Sequence, residues 1–294
     1  MNAESKGLIL GFIAVFMFGL TLPITRFISP HFEPVFIGLG RASLASVFAA
    51  FFLIAYKVPL PSYSQIKRLL IVSLGVVIGF PVLTAVAMQS LPASHGGVVL
   101  GILPLATAAA SRLVSDERPS LGFWLVGVTG SILVISYSLL QGGGVFLMGD
   151  FALFAAIISV AFGYAVGGKL SKELGGWQVS CWALVLVFPL IIGPTLYYAP
   201  SDMQTLGTPV LLSFLYLTLI SQLFGLFIWY KALAIGGVAR VSQVQLMQPF
   251  VTLLASSWAL SEFVDVQSYI FAAMVVGVVA VGKQMPVYSK QSSI

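Results

Sequence analysis

One apolar stretch near the C-terminal end carries polar residues spaced as a binding surface needs them. Ser242, Gln245, Pro249 and Thr252 recur at helical spacing, with Gln248 and Ser256 beside them, so a helix over 241–260 presents one polar stripe. Lipid offers that stripe no hydrogen-bond partner, so it must face protein or a water-filled cavity. Gln245 and Gln248 would offer amide donors and acceptors to a small zwitterionic substrate, with the Ser242 and Thr252 hydroxyls alongside. Hydrogen bonding between helices is the other reading of the same stripe. Arg41 is the one basic residue well inside an apolar run. It either snorkels to the outer surface or faces a cavity and attracts a carboxylate. Phe80, Tyr164, Trp182, Phe224 and Trp229 could stack on substrate side chains, although packing is the commoner use of such rings.

Prolines and glycines mark where these spans bend. Pro104 and Pro249 each remove a backbone donor and free a carbonyl about one turn earlier, near Leu100 and Gln245. Such a carbonyl can accept from a substrate ammonium, or the kink can serve as a bending point. Pro81 reads as a third hinge, with no proline partner in the other half. Gly97 and Gly101, next to Pro104, permit close helix crossing and join the hinge candidates; Gly7/Gly11, Gly75/Gly79 and Gly163/Gly167 share the spacing. The two central prolines belong to an internal repeat, because residues 87–117 align without a gap on 232–262. Ala87 then falls on Ala232, Thr107 on Thr252, Ser111 on Ser256 and Glu117 on Glu262.

The elements that position these residues follow from composition. Apolar residues make up 59% of 294 positions and charged residues 8%, against about 25% charged in a soluble domain. A chain this poor in charge has no soluble surface and is read as an integral membrane protein. Its apolar runs are continuous over roughly 20 residues, which excludes a β-barrel. Ten helices are expected, over 7–29, 35–56, 69–91, 94–114, 121–140, 151–168, 179–198, 210–230, 241–260 and 266–282. The first run leads directly into a second span, so it is read as a span and not as a cleaved signal. Residues 1–144 form one five-helix half, 145–285 the other, and 286–294 a tail. The glycines at 142–144 join the halves.

With the N-terminus inside, the inner loops collect Lys6, Lys57, Lys67, Arg68, Arg112, Arg118, Lys169, Lys172, Lys231, Arg240, Lys283 and Lys290, and only Arg26 falls outside. The positive-inside rule therefore puts both termini in the cytoplasm. Five helices per half is an odd number, so the second copy of each motif faces the opposite side and the repeats are inverted. Chains built this way hold substrate near the midplane and expose it alternately to the two sides.

The sequences YKALA at 230–234, LMQPFVTLLASSWALSE at 246–262 and LPLATAAASRLVSDE at 103–117, with Gly40-Arg41-Ala42, resemble the EamA-type repeats of the drug/metabolite transporter superfamily. The resemblance covers nearly the whole chain. It implies a ten-helix, multi-pass exporter of small metabolites in a bacterial inner membrane, of the subgroup that exports amino acids, aromatic ones included. Leu103 stands where many relatives carry an acidic residue before the proline.

All nine Asp and Glu lie in loops or at helix ends in this reading. No carboxylate is expected at mid-membrane to carry a coupling proton, so facilitated export is preferred over tight ion coupling. His95, at the start of the fourth helix, and its repeat partner Arg240 read as interfacial residues, with His95 a weak candidate proton carrier. An enzyme is disfavoured: no span holds a Ser/His, Asp/Asp or His/Glu constellation, and Gly142 to Gly144 lack the lysine of a phosphate-binding loop. The alternative function is export of drugs or other small metabolites such as nucleobases, with proton coupling. The expected partners are a small-molecule substrate and the lipid bilayer, with no cofactor, metal or nucleic acid, and the working unit is a monomer or a homodimer.

Overall fold

The structure, a computed structural model, describes residues 3–114, 117–141, 143, 145–201, 206–236, 241–285 and 287–289. Arg240, Gly142 and Gly144 of the linker, and residues 290–294 with Lys290 lie outside the described residues.

In the first half, α1 (Ala3–Gly19) and α2 (Thr21–Ile28) form one run, followed by α3 (Pro34–Ala55). Next, α4 (Tyr63–Val72) winds through a π-helical stretch, Ser73–Gly79, into α5 (Phe80–Ser90). A span bent by 43° joins α6 (Ala93–Leu100) to α7 (Leu103–Val114), and α8 (Leu121–Gln141) completes the half. The second half has α9 (Met148–Leu174) and α10 (Gly176–Tyr197). In it α11 (Thr208–Leu215) passes through a second π-helical stretch, Tyr216–Gly225, into α12 (Leu226–Gly236). A 3-10 stretch, Ser242–Met247, leads into α13 (Gln248–Leu260), and α14 (Val266–Gln284) follows. Every apolar segment read from the sequence is thus helical. Among the described residues seven helices are long and apolar enough to cross a membrane, or eight if the bent α6–α7 pair is one span, and the apolar part of α14, Val266–Val278, is shorter.

One element departs from an all-α reading. Residues 287–289, expected in a free tail, form β2 (Val287–Ser289), antiparallel to β1 (Glu117–Pro119), with Glu117 opposite Ser289 and Arg118 opposite Tyr288. Backbone beyond a helix end must pair with something, and here the two connections satisfy each other.

Helix ends follow local chemistry. Pro34 opens α3 in the first turn, where its missing N–H costs nothing. Ser62 and Gln65 close a capping box at the start of α4. Ser261, at φ 53°, ends α13 in the left-handed conformation, which lets the chain turn sharply toward α14.

The packing maps onto itself when the halves are exchanged. Helix α3 packs on α10, the α6–α7 span on α13, and α8 on α14, each pair joining corresponding spans of the two halves. The pairing of α1 with α12 is matched by that of α4 and α5 with α9. The two repeat glutamates lie at opposite ends of the α6–α7 span. The Glu262 carboxylate accepts from the backbone N–H groups of Ala93 and Ser94 at its start, while Glu117 follows its far end in β1. Near that far end Lys169 Nζ donates to Val114 O, and Arg68 pairs with Glu173. A second apolar cluster, in which Phe36 and Phe214 stack at 5.4 Å between ring centroids, closes the end that holds Arg26 and Glu262.

Candidate functional site

The broken and π-wound stretches converge on one small cavity between the halves. Its walls include Thr21 of α2, Arg41 of α3, Tyr164 of α9, Ser221 and Gln222 of the second π-helical stretch, and Gln248 at the start of α13. Phe18, Phe80, Leu100 and Leu103 supply the apolar part. The volume, ≈ 20 Å³, has room for about one water molecule and no metabolite, so the site is shut in this conformation.

Arg41 does not snorkel. It is 2% exposed, among the largest fully buried side chains, and its Nε has no hydrogen-bond partner. The guanidinium is all donor, and no carboxylate reaches it within ion-pair distance among the described residues. Gln222 Nε2 is a second buried donor without a partner. Thr21 and Ser221 bond to each other at 2.9 Å across the two halves. Tyr164 lies against Trp229, ring centroids 5.4 Å apart, and Trp229 against Phe18, so an aromatic layer backs one wall. Two orphaned donors on residues that line one small cavity call for an acceptor-rich ligand, of which a carboxylate is the simplest.

The residues singled out in the sequence divide at this cavity. Arg41, Gln248, Tyr164 and Phe80 line it. Gln245 is buried in the 3-10 stretch with neither amide atom partnered, but it is not part of the lining. Its carbonyl, expected to be freed by Pro249, accepts from the N–H of Gln248, because the 3-10 winding shortens the bond to three residues. Ser242 is buried at the start of that stretch, away from the cavity. Trp182 is buried in α10 with Nε1 unpartnered, and Phe224 is exposed and packs on Phe52 and Phe227. Neither lines the cavity.

Thr252 has a backbone task. Pro23 leaves the carbonyl of Gly19 without its helical donor, and Thr252 Oγ1 donates to that carbonyl at 2.8 Å. The hinge candidates cluster. Pro104 and Pro249 each sit in the first turn of the helix that follows a break, at α7 and α13. A Cβ on Gly97 would stand 2.7 Å from Thr252 Cγ2, and one on Gly101 3.2 Å from Pro249 Cγ, so the first-half glycines lie directly on the second-half break. Pro81 follows the π-helical stretch Ser73–Gly79. The second half repeats that winding at Tyr216–Gly225 without a proline.

Gln222, Ser221 and Thr21 were not singled out from the sequence. Two adjacent polar residues in the middle of the apolar run 210–230 were the available signal for the first two.

Comparisons with known proteins bear on this architecture. The EamA-like transporter family profile matches twice, over residues 5–139 and 147–281. The chain is 44% identical over 262 residues, 89% of its length and 91% of the relative's, to a Bacillus subtilis (strain 168) protein named uncharacterized transporter YdeK. It is 24% identical over 271 residues, 86% of each chain, to a Salmonella typhimurium (strain LT2) protein named probable amino-acid metabolite efflux pump. A solved crystal structure shares the fold at a TM-score of 0.66 and 17% identity, covering 95% of this chain and 96% of that one. With two profile matches that together take in most of its length, this chain belongs to the EamA-like transporter family.

Proposed function

We propose that this transporter exports amino acids, aromatic, hydrophobic and other small ones, from the cytoplasm by alternating access through the Arg41 cavity, without tight ion coupling. The observation that carries the reading is the pair of unpartnered buried donors, Arg41 Nε and Gln222 Nε2, on residues of one cavity between the halves. A buried guanidinium without an acid is costly to keep, and intramembrane charges are retained where substrates pass. A substrate carboxylate would supply the missing charge, with Gln248 placed for further polar contacts and the aromatic wall for the side chain. The name of the Salmonella relative agrees with this substrate class.

The same reading takes residues 1–144 and 145–285 as inverted five-helix repeats, ten spans in all, with 286–294 as a tail. It has both termini in the cytoplasm and the chain in a bacterial inner membrane. The self-mapping helix contacts and the opposed positions of Glu117 and Glu262 support it. One copy already supplies both halves of the cavity, which favours a monomer. Pro104 and Pro249, with Gly97 and Gly101 against the second break, are the hinge on which the halves rock.

The test is counterflow of a panel of labelled amino acids in proteoliposomes. The intact protein is expected to give saturable exchange indifferent to an imposed pH gradient at clamped voltage, and Arg41→Gln to lose at least about tenfold. Exchange of no amino acid would move the assignment to drugs or other metabolites such as nucleobases.

A further inference from the structure

Away from the central cavity, a titratable pair crosses between the halves. His95 Nε2 of α6 lies 2.7 Å from Asp150 Oδ1 of α9. Asp150 is 0% exposed and His95 3%, although both stand in the first turn of their helices, where the sequence places them at the interface. Asp150 Oδ2 also accepts from Leu147 N at 2.9 Å, so both carboxylate oxygens are engaged. The Tyr137 ring covers the imidazole at 5.1 Å between centroids, and its hydroxyl is tied to Ser268 Oγ at 3.0 Å.

We propose that His95 and Asp150 form a proton-binding site whose occupancy holds the Arg26 and Glu262 end of the transporter shut. A pair that holds the proton has zero net charge, either as imidazolium with carboxylate or as imidazole with carboxylic acid. Without it, a net negative charge is sealed away from water, which is strongly unfavourable unless a cation compensates.

Among the described residues no lysine or arginine stands within ion-pair distance of the pair. Helix α8 contributes Tyr137, and the α13–α14 connection contributes the acids Glu262, spent on Ala93 and Ser94, and Asp265, spent on Ser268. On α2, Arg26 donates to Met88 O at 2.6 Å. Helices α5 and α13 carry no titratable side chain. Loss of the proton therefore weakens closure of this end, and rocking that parts α6 from α9 lets water reach the pair and exchange the proton. Because the site lies at one end of the molecule, it responds to pH on that side without carrying protons across, which is compatible with facilitated export.

The proposal rests on alternating access but on no particular substrate, so its test uses none. Spin labels at Gln89→Cys and Phe263→Cys, in a Cys181→Ala background in lipid nanodiscs, report the spacing across this end by electron–electron double resonance. Between pH 6 and pH 9 the wide-spaced population is expected to grow at least about threefold, in keeping with proton linkage. Asp150→Asn, which needs no proton for neutrality, should remove the change. Should that variant not fold, histidine-labelled protein carrying His31→Asn leaves His95 as the one imidazole, whose nitrogen resonances should change together with the spacing. A spacing that ignores pH, a shift that survives Asp150→Asn, or an imidazole that titrates without any change in spacing would each overturn the site. None of those results bears on amino-acid counterflow.

Discussion

At the scale of the residue, Arg41 costs the folded state stability, because a buried guanidinium without an acid has lost its water and gained no ion pair. Arg41→Gln should therefore leave the melting temperature in detergent unchanged or raised while counterflow collapses, and Arg41→Lys should not restore transport, since an ammonium lacks the planar fork that holds a carboxylate at two points. A melting temperature that fell by many degrees would make Arg41 structural. Thr252→Val should act in the opposite sense. It leaves the Gly19 carbonyl without its donor and should cost about 1 kcal/mol of stability, read by thermal unfolding. Much of the candidate site was legible: Arg41, Gln248, Tyr164 and Phe80 are polar or aromatic groups inside apolar runs, and they line one cavity. The burial of His95 and Asp150 was not legible, because each reads as a helix end and only the packing of α6 on α9 hides them.

Among the elements, the breaks carry the hinge proposed for Pro104 and Pro249. Pro249 lies in the first turn of α13, where the missing N–H is no loss, so Pro249→Ala should barely alter thermal stability. If the break is the hinge, the same substitution should slow counterflow several-fold, and unchanged flux would remove the hinge. Gly97→Val should behave differently, because its side chain would run into Thr252 and force α6 off α13. Overpacking of this kind costs about 1–3 kcal/mol and should lower folded yield as well as transport. At the turn into α14, the Ser268 hydroxyl and then its N–H hold the Asp265 carboxyl below its ordinary range. That stabilisation is fully present above the unfolded value near 3.9 and is lost as pH falls through the lowered folded value. Ser268→Ala should accordingly destabilise at pH 7 and much less at pH 2. Hydropathy alone showed that the apolar segments are helical, and proline marked the two breaks. The π-helical and 3-10 windings have no such signature, since they arise where neighbouring helices and prolines decide which carbonyl each N–H can reach.

For the whole molecule, the contacts between the halves and the small cavity describe one state of the alternating access proposed above, in which the halves part at either end in turn. Arg26 on Met88, Glu262 on α6 and the Phe36–Phe214 stack close one end; Arg68 with Glu173, Lys169 on Val114 and the β1–β2 ribbon tie the other. On that proposal, opening either end enlarges a cavity of ≈ 20 Å³ to the several hundred Å³ typical of metabolite pockets. What enters is decided, on this account, by the need of Arg41 for a carboxylate. The most direct measurement is inhibition of labelled tyrosine counterflow by unlabelled tyrosine, tyrosine methyl ester and tyramine, which differ at the carboxylate alone. Tyrosine should compete, and the ester and the amine should be weaker by at least about tenfold, a difference that Arg41→Gln erases. Equal competition by all three in the intact protein would contradict it.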